Sequence, residues 1–152
     1  MIRIAIDGPG GAGKSTVAKS VAKQLGIIYV DTGALYRTIG LYMLNNGINP
    51  KDAPSVAAAL PNFTLELKFV DGKQTVLLDG EDVGDRIRTP AASMAASDVS
   101  AIKEVRAYLL DTQRNIAAKN SVIMDGRDIG TVILPDAEVK ILESNIRSWT
   151  QA

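Results

Sequence analysis

The sequence has no cysteine and no histidine. The first absence excludes disulfides and cysteine-based zinc sites, and it points to a cytosolic home. The second removes the commonest general base and the commonest metal ligand. Any chemistry must therefore rest on carboxylates, lysines, arginines and hydroxyls. Net charge is missing too, because 17 Lys and Arg balance 17 Asp and Glu. Affinity for nucleic acid or membrane surfaces driven by bulk charge is not expected, and any anion must be held by a local cluster. No apolar run approaches membrane-spanning length, and the N-terminus does not read as a signal peptide. There is no internal repeat and no low-complexity tract. What 152 residues at 46% hydrophobic and 22% charged do offer is an ordinary soluble core, enough for one domain with a small inserted lobe.

Glycine is concentrated where it matters. Gly8-Pro9-Gly10-Gly11-Ala12-Gly13-Lys14-Ser15 fits the pattern G-x-x-x-x-G-K-S/T in full, and Thr16 follows. Ile2 to Ile6 before it is an apolar run that reads as a buried parallel strand. Ser15 to Leu25 after it reads as a helix, with Val17, Val21 and Leu25 on one face and Gly26 at its end. Glycines let successive N–H groups turn inward onto a phosphate chain, and the helix N-terminus adds partial positive charge. Lys14 can reach the β- and γ-phosphate oxygens, and the Ser15 hydroxyl can ligate Mg²⁺. The segment Gly8, Pro9, Gly10, Gly11, Ala12, Gly13, Lys14, Ser15, Thr16 is thus expected to bind a nucleoside triphosphate, ATP first among them.

Ile27 to Val30 reads as a second strand, followed by Asp31-Thr32-Gly33 as a turn. Ligands of open α/β sheets bind at such strand ends. Leu35 to Asn46 is expected as a helix closed by Gly47, and Pro50 to Leu60 as a shorter one broken at Pro61. The period then changes. Phe63 to Phe69 alternates, Asp71-Gly72 follows, and Thr75 to Asp79 resumes, which is a hairpin signal. Gly80 to Val83 adds a turn and a short third strand. Ala91 to Asn120 reads as a helix in two pieces around Ser97 to Ser100. Ser121 to Asp125 and Val139 to Leu142 complete the parallel strands. The expected fold is α/β: a P-loop NTPase parallel sheet in three layers with helices on both faces, plus a small antiparallel β insertion.

Met124-Asp125-Gly126-Arg127-Asp128 is the second dense site. A strand ending in an acid beside a phosphate loop is a magnesium anchor, so Asp125 is a candidate ligand, directly or through a bound water. Asp7, also at a strand end, is read as orienting loop backbone. Arg127 and Arg37 offer planar forks for phosphate oxygens, and two of them in one crevice suit an acceptor that is itself a phosphate ester. Such an acceptor is ionised near neutrality and already nucleophilic, so the missing histidine is not needed. A hydroxyl acceptor would instead draft Asp128 or Asp31 as base.

These segments resemble the bacterial cytidylate kinase family. The likeness lies in Gly8 to Thr16, Asp31 to Arg37, Ile87-Arg88-Thr89, Ala95-Ala96-Ser97 with Val105-Arg106, and Asp125 to Val132. It runs from the start to about Ile141. The resemblance implies ATP-dependent phosphorylation of CMP and dCMP with Mg²⁺. It implies Lys14, Arg127 and Asp125 as catalytic groups, with Ser15 and Asp125 on the metal. Arg37 and Arg127 would hold the CMP phosphate, while Ser97, Arg106 and Asp128 would contact the cytosine edge. Thr32, Tyr36 and Arg88 would border the acceptor. The implied organisation is a kinase core over 1–36 and 90–142 with a nucleoside-monophosphate lobe over 37–89. A cytoplasmic monomer with no nucleic-acid or membrane partner is implied as well. Residues 143–152 do not match the family's arginine-rich lid segment and read as an aberrant tail of a truncated chain. The alternatives are a P-loop kinase for another small acceptor and a nucleotide-binding chain without turnover.

Overall fold

A computed structural model of the chain describes residues 1–8, 14–71, 73–126 and 128–142, with Lys14 described by its backbone alone. The phosphate-loop residues Pro9 to Gly13, together with Gly72, Arg127 and the tail 143–152, lie outside the described residues. Two compact units are formed. One comprises Met1–Thr32, Asp71–Lys73 and Thr112–Ala152, the other Gly33–Val70 and Gln74–Asp111.

The first unit is built on a parallel sheet of β1 (Arg3–Asp7), β2 (Ile28–Asp31), β6 (Val122–Gly126) and β7 (Val139–Leu142), in the order β2-β6-β1-β7. The expected α/β organisation is therefore present. In register, Ile6 stands beside Asp125 and Asp31 stands beside Asp125 on the other side. Helix α1 (Lys14–Leu25) covers one face, where Ala18 and Ala22 pack on Ile4, Ile6 and Ile123. Its end is sealed as expected: Gly26 has φ +66°, and the Ile27 N–H donates to the Ala22 carbonyl at 3.0 Å. That bond spans C″ to C3, the Schellman arrangement, which requires a left-handed residue between.

Where β1 begins, Arg3 and Glu138 clamp the approach to β7. The guanidinium Nη2 lies 3.1 Å from Oε1, and the Arg3 backbone N–H donates to Oε2 at 2.9 Å. The Arg3 hydrogen bond holds the Glu138 carboxyl down at about 2, from an ordinary 4.5. A depressed carboxyl stabilises the fold above the unfolded value and loses that contribution as pH falls through the folded one. The melting temperature of the native chain should therefore fall more steeply than that of Glu138→Gln as pH drops from about 4.5 toward 2. The pair is exposed, so the gap should be small and should shrink further in high salt. Parallel melting curves of the two proteins below pH 5 would reject the assignment.

The second unit contains α2 (Thr32–Asn45, from Gly33 on), α3 (Ala53–Ala59), α4 (Pro90–Ser100) and the start of α5 (Lys103–Lys119). It also holds the three-stranded sheet β3 (Leu65–Val70), β4 (Lys73–Leu78, from Gln74 on) and β5 (Glu81–Asp82). Leu35, Ile39, Met43, Val56, Phe63 and Leu109 form its core. The expected split of the long helix falls at Ala101 and Ile102. α4 starts earlier than its alanines suggested, because Thr89 caps it by accepting from the Ala92 N–H at 3.1 Å, and Pro90 occupies the first turn. Three short stretches depart from expectation. The helix expected over Pro50 to Leu60 is confined to Ala53–Ala59, and Pro61 does not break the chain's coil but lies in a short helical turn over Leu60–Asn62. Asp31-Thr32-Gly33 is no turn, since β2 ends at Asp31 and α2 begins at Thr32. Asp79 is not the end of a strand. With φ +52° it pairs with Gly80, φ +82°, in the two-residue turn between β4 and β5, the conformation an Asp-Gly pair favours.

Gly40 sits in the middle of α2, where glycine ordinarily costs about 1 kcal/mol relative to alanine. Its reason is steric. A Cβ there would stand 2.8 Å from the Ala95 Cβ and 2.9 Å from the Ala96 nitrogen on α4. Gly40→Ala should lower stability by about 1–2 kcal/mol, overpacking outweighing the gain in helix propensity. A denaturant midpoint equal to or above the parent's would contradict this close approach.

Candidate functional site

The candidate residues of the first unit gather at the C-terminal ends of β1, β6 and β2. Parallel register sets which face each one joins. Tyr29 is the partner of Ile123, and Asp31 and Ile6 are partners of Asp125. Ile4, Ile6 and Ile123 pack on α1, so Asp125, two residues beyond Ile123, points to that same face. Lys14 opens α1, and Ser15 and Thr16 follow it in the first turn with exposed side chains. Gly8 closes β1, and its N–H donates to the Gly126 carbonyl at 3.3 Å.

Asp125 is only 5% exposed. Its Oδ2 accepts from the Tyr29 hydroxyl at 2.9 Å, and its main-chain oxygen accepts from the buried Thr32 hydroxyl at 2.7 Å. Gly126 follows because nothing larger fits: a Cβ would collide with the Thr32 Oγ1 and stand 3.1 Å from the Ile129 Cδ1. Asp7 lies on the opposite face from Asp125. Both of its carboxylate oxygens serve backbone, Oδ1 accepting from the Ile129 N–H at 2.6 Å and Oδ2 from the Gly130 N–H at 2.8 Å. Asp7 thus orients a loop, and that loop is the turn after β6. Asp128, exposed and left-handed at φ +59°, leads into a wide π-helical turn over Ile129–Ile133, closed by the Ile133 N–H donating to the Asp128 carbonyl at 3.1 Å. Arg114 closes the far end of that turn, donating from Nη2 to the Val132 carbonyl at 2.8 Å and from Nε to the Ile133 carbonyl at 3.1 Å.

The other candidates belong to the second unit. Tyr36 and Arg37 are half-buried in the first part of α2, with the Arg37 Nε itself buried. Arg88 is exposed at the end of the short helical turn Arg86–Arg88. Ser97 and Arg106 flank the α4–α5 corner, each bonded to Ser100. The Ser100 hydroxyl donates to the Ser97 carbonyl at 2.8 Å, and the Arg106 Nη1 donates to the Ser100 carbonyl at 2.9 Å. Arg127 and Pro9 to Gly13 fall outside the described residues.

The oxygen donors on the α1 face suit a hard cation. A hydroxyl and one carboxylate are few ligands, and no group of three acidic residues that could hold a metal occurs among the described residues. Such hard oxygen donors fit magnesium, an ion that keeps several waters and takes other ligands from substrate phosphates. No helix among the described residues is long and apolar enough to cross a membrane.

Comparison with known proteins bears on the same stretch. The family model described as cytidylate kinase matches residues 4–147. The protein named cytidylate kinase from Caldicellulosiruptor saccharolyticus is 57% identical over 140 residues, which covers 92% of this chain and 62% of that relative. Its namesake from Caldicellulosiruptor bescii is 56% identical over 140 residues, with the same coverage of 92% and 62%. The one from Lactobacillus gasseri is 49% identical over 141 residues, covering 93% of this chain and 61% of the relative. The chain thus spans about three-fifths of the length of these relatives. On the strength of a match across nearly all of its length, the chain belongs to the cytidylate kinase family.

Proposed function

We propose that the protein transfers the γ-phosphoryl group of ATP in line to CMP and dCMP, giving CDP and dCDP. The observation that carries this reading is the Asp125 carboxylate directed to the sheet face covered by the phosphate-loop helix, in a chain of this family. The backbone N–H groups that Gly8 to Thr16 offer, Pro9 excepted, cradle the triphosphate, and Lys14 neutralises its β- and γ-oxygens. Ser15 and Asp125 hold magnesium, which when bound offsets the charge that builds on the phosphate oxygens. Arg37 and Arg127 grip the acceptor phosphate bidentately and set it in line. Ser97, Arg106 and Asp128 read the cytosine edge, while Thr32, Tyr36 and Arg88 border the acceptor. The acceptor oxygen is already ionised, so these residues bind and orient rather than remove a proton.

In this reading 1–36 and 90–142 form the kinase core and 37–89 the lobe that receives the monophosphate. The protein works as a cytoplasmic monomer, without nucleic-acid or membrane partners. The test is a coupled assay with ATP and Mg²⁺ across CMP, dCMP, UMP, AMP and a hydroxylated acceptor such as shikimate, run beside calorimetry with ATP–Mg²⁺ and CMP. Turnover with the two cytidine nucleotides above the rest is expected. Preference for a hydroxylated acceptor would overturn the assignment, and binding of both nucleotides without turnover would reduce it to recognition alone.

A further inference from the structure

We infer that Tyr29 is a positioning residue: its hydroxyl fixes the plane of the Asp125 carboxylate, and through it the seat of the magnesium ion. The inference rests on the role just given to Asp125. Tyr29 sits on β2 beside Ile123 of β6, two residues short of the level of Asp125, on the same face of the sheet. A strand side chain leans along its strand, so the phenol reaches forward and donates to the Asp125 Oδ2 at 2.9 Å. The ring has little freedom. It packs on the cluster of Ile4, Ile6, Ala18, Ala22 and Ile123, and the Lys19 ammonium of α1 lies 5.9 Å from its centroid. It is therefore held by the sheet and also by the helix that carries Lys14 and Ser15.

Asp125 is constrained at its other end as well, where the Thr32 hydroxyl donates to its main-chain oxygen at 2.7 Å. With the backbone anchored, the phenol hydrogen bond acts directly on the orientation of the carboxylate. Partners that orient a ligating carboxylate commonly matter to metal affinity almost as much as the ligand does. A phenylalanine at this position would fill the same apolar space and remove the hydrogen bond to the Asp125 Oδ2.

The test uses the intact chain with a non-hydrolysable ATP analogue and Mn²⁺ as a paramagnetic stand-in for Mg²⁺, free Mn²⁺ being read by electron paramagnetic resonance. Tyr29→Phe should weaken Mn²⁺ binding to the nucleotide complex by roughly tenfold. Metal-free binding of the analogue should change by less than about twofold, and the melting temperature by no more than a few degrees. Asp125→Asn should weaken Mn²⁺ binding at least as much. If Asp125→Asn weakens it and Tyr29→Phe does not, the positioning role is wrong and Asp125 stands. If neither variant changes Mn²⁺ binding, the role of Asp125 fails and the inference fails with it.

Discussion

Replacing Asp7 with alanine is expected to lower folding stability by about 3 kcal/mol, the largest stability loss among the substitutions considered. Two backbone N–H groups depend on this carboxylate, those of Ile129 at 2.6 Å and Gly130 at 2.8 Å. Hydrogen bonds to an ionised acceptor contribute about 1.5–3 kcal/mol each, and the lower end applies because Asp7 is itself half-buried. Ile129 is 1% exposed and Gly130 is buried, so water cannot easily replace the lost acceptors. Asp7→Asn should lose somewhat less. Its amide offers one acceptor oxygen and turns an NH₂ group toward the second N–H. A loss of about 3 kcal/mol is a large share of a typical domain's 5–15 kcal/mol. The measurement is the urea midpoint at constant slope. A shift worth less than about 1 kcal/mol for Asp7→Ala would mean that the turn after β6 holds itself together without the carboxylate.

That turn also marks how far the sequence could be read. The central parallel strands were legible because strands buried on both faces are written as short apolar runs, as in Ile2 to Ile6 and Ser121 to Asp125, while Val139 to Leu142 was legible as a short β-branched run although it is an exposed edge strand. The ends of α1 and α2 were legible because Gly26 and Gly47 supply a left-handed residue that few others adopt cheaply. Ile129–Ile133 was not legible. Thr131-Val132-Ile133 is β-branched and followed closely by Pro135, a local pattern that favours extended chain. What bends it is remote: Asp7 on its N–H groups, across sequence separations of 122 and 123, and Arg114 on its carbonyls. The same holds for the site. Asp125 could be singled out as an acid at a strand end, but its phenol partner depends on the register of β2 against β6, which no local pattern carries. Thr32 misled because Thr-Gly pairs read as turn formers. Its hydroxyl is instead anchored to the Asp125 carbonyl, and the helix starts directly from the strand.

Lys14→Met is the substitution expected to cost most in catalysis, a fall in turnover on the order of 10²–10³ with CMP as acceptor. The cause is electrostatic. In-line phosphoryl transfer spreads negative charge over oxygens of the transferring group, and the protein's part is to have cations waiting where that charge develops. Lys14 is the first residue of α1, directly after the glycine-rich segment, at the helix end that carries partial positive charge. Methionine keeps most of the stem and removes only the charge. Ser15→Ala is the informative companion, since on the proposed roles it takes away a magnesium ligand and leaves the ammonium. Its deficit should be partly recovered by raising Mg²⁺, whereas the deficit of Lys14→Met should not respond. Both variants should keep the parent's melting temperature to within a few degrees. If Lys14→Met turns over CMP within about threefold of the parent at saturating ATP, the ammonium is not where the charge develops. The assignment of Gly8 to Thr16 as the triphosphate cradle would then have lost its chemical purpose.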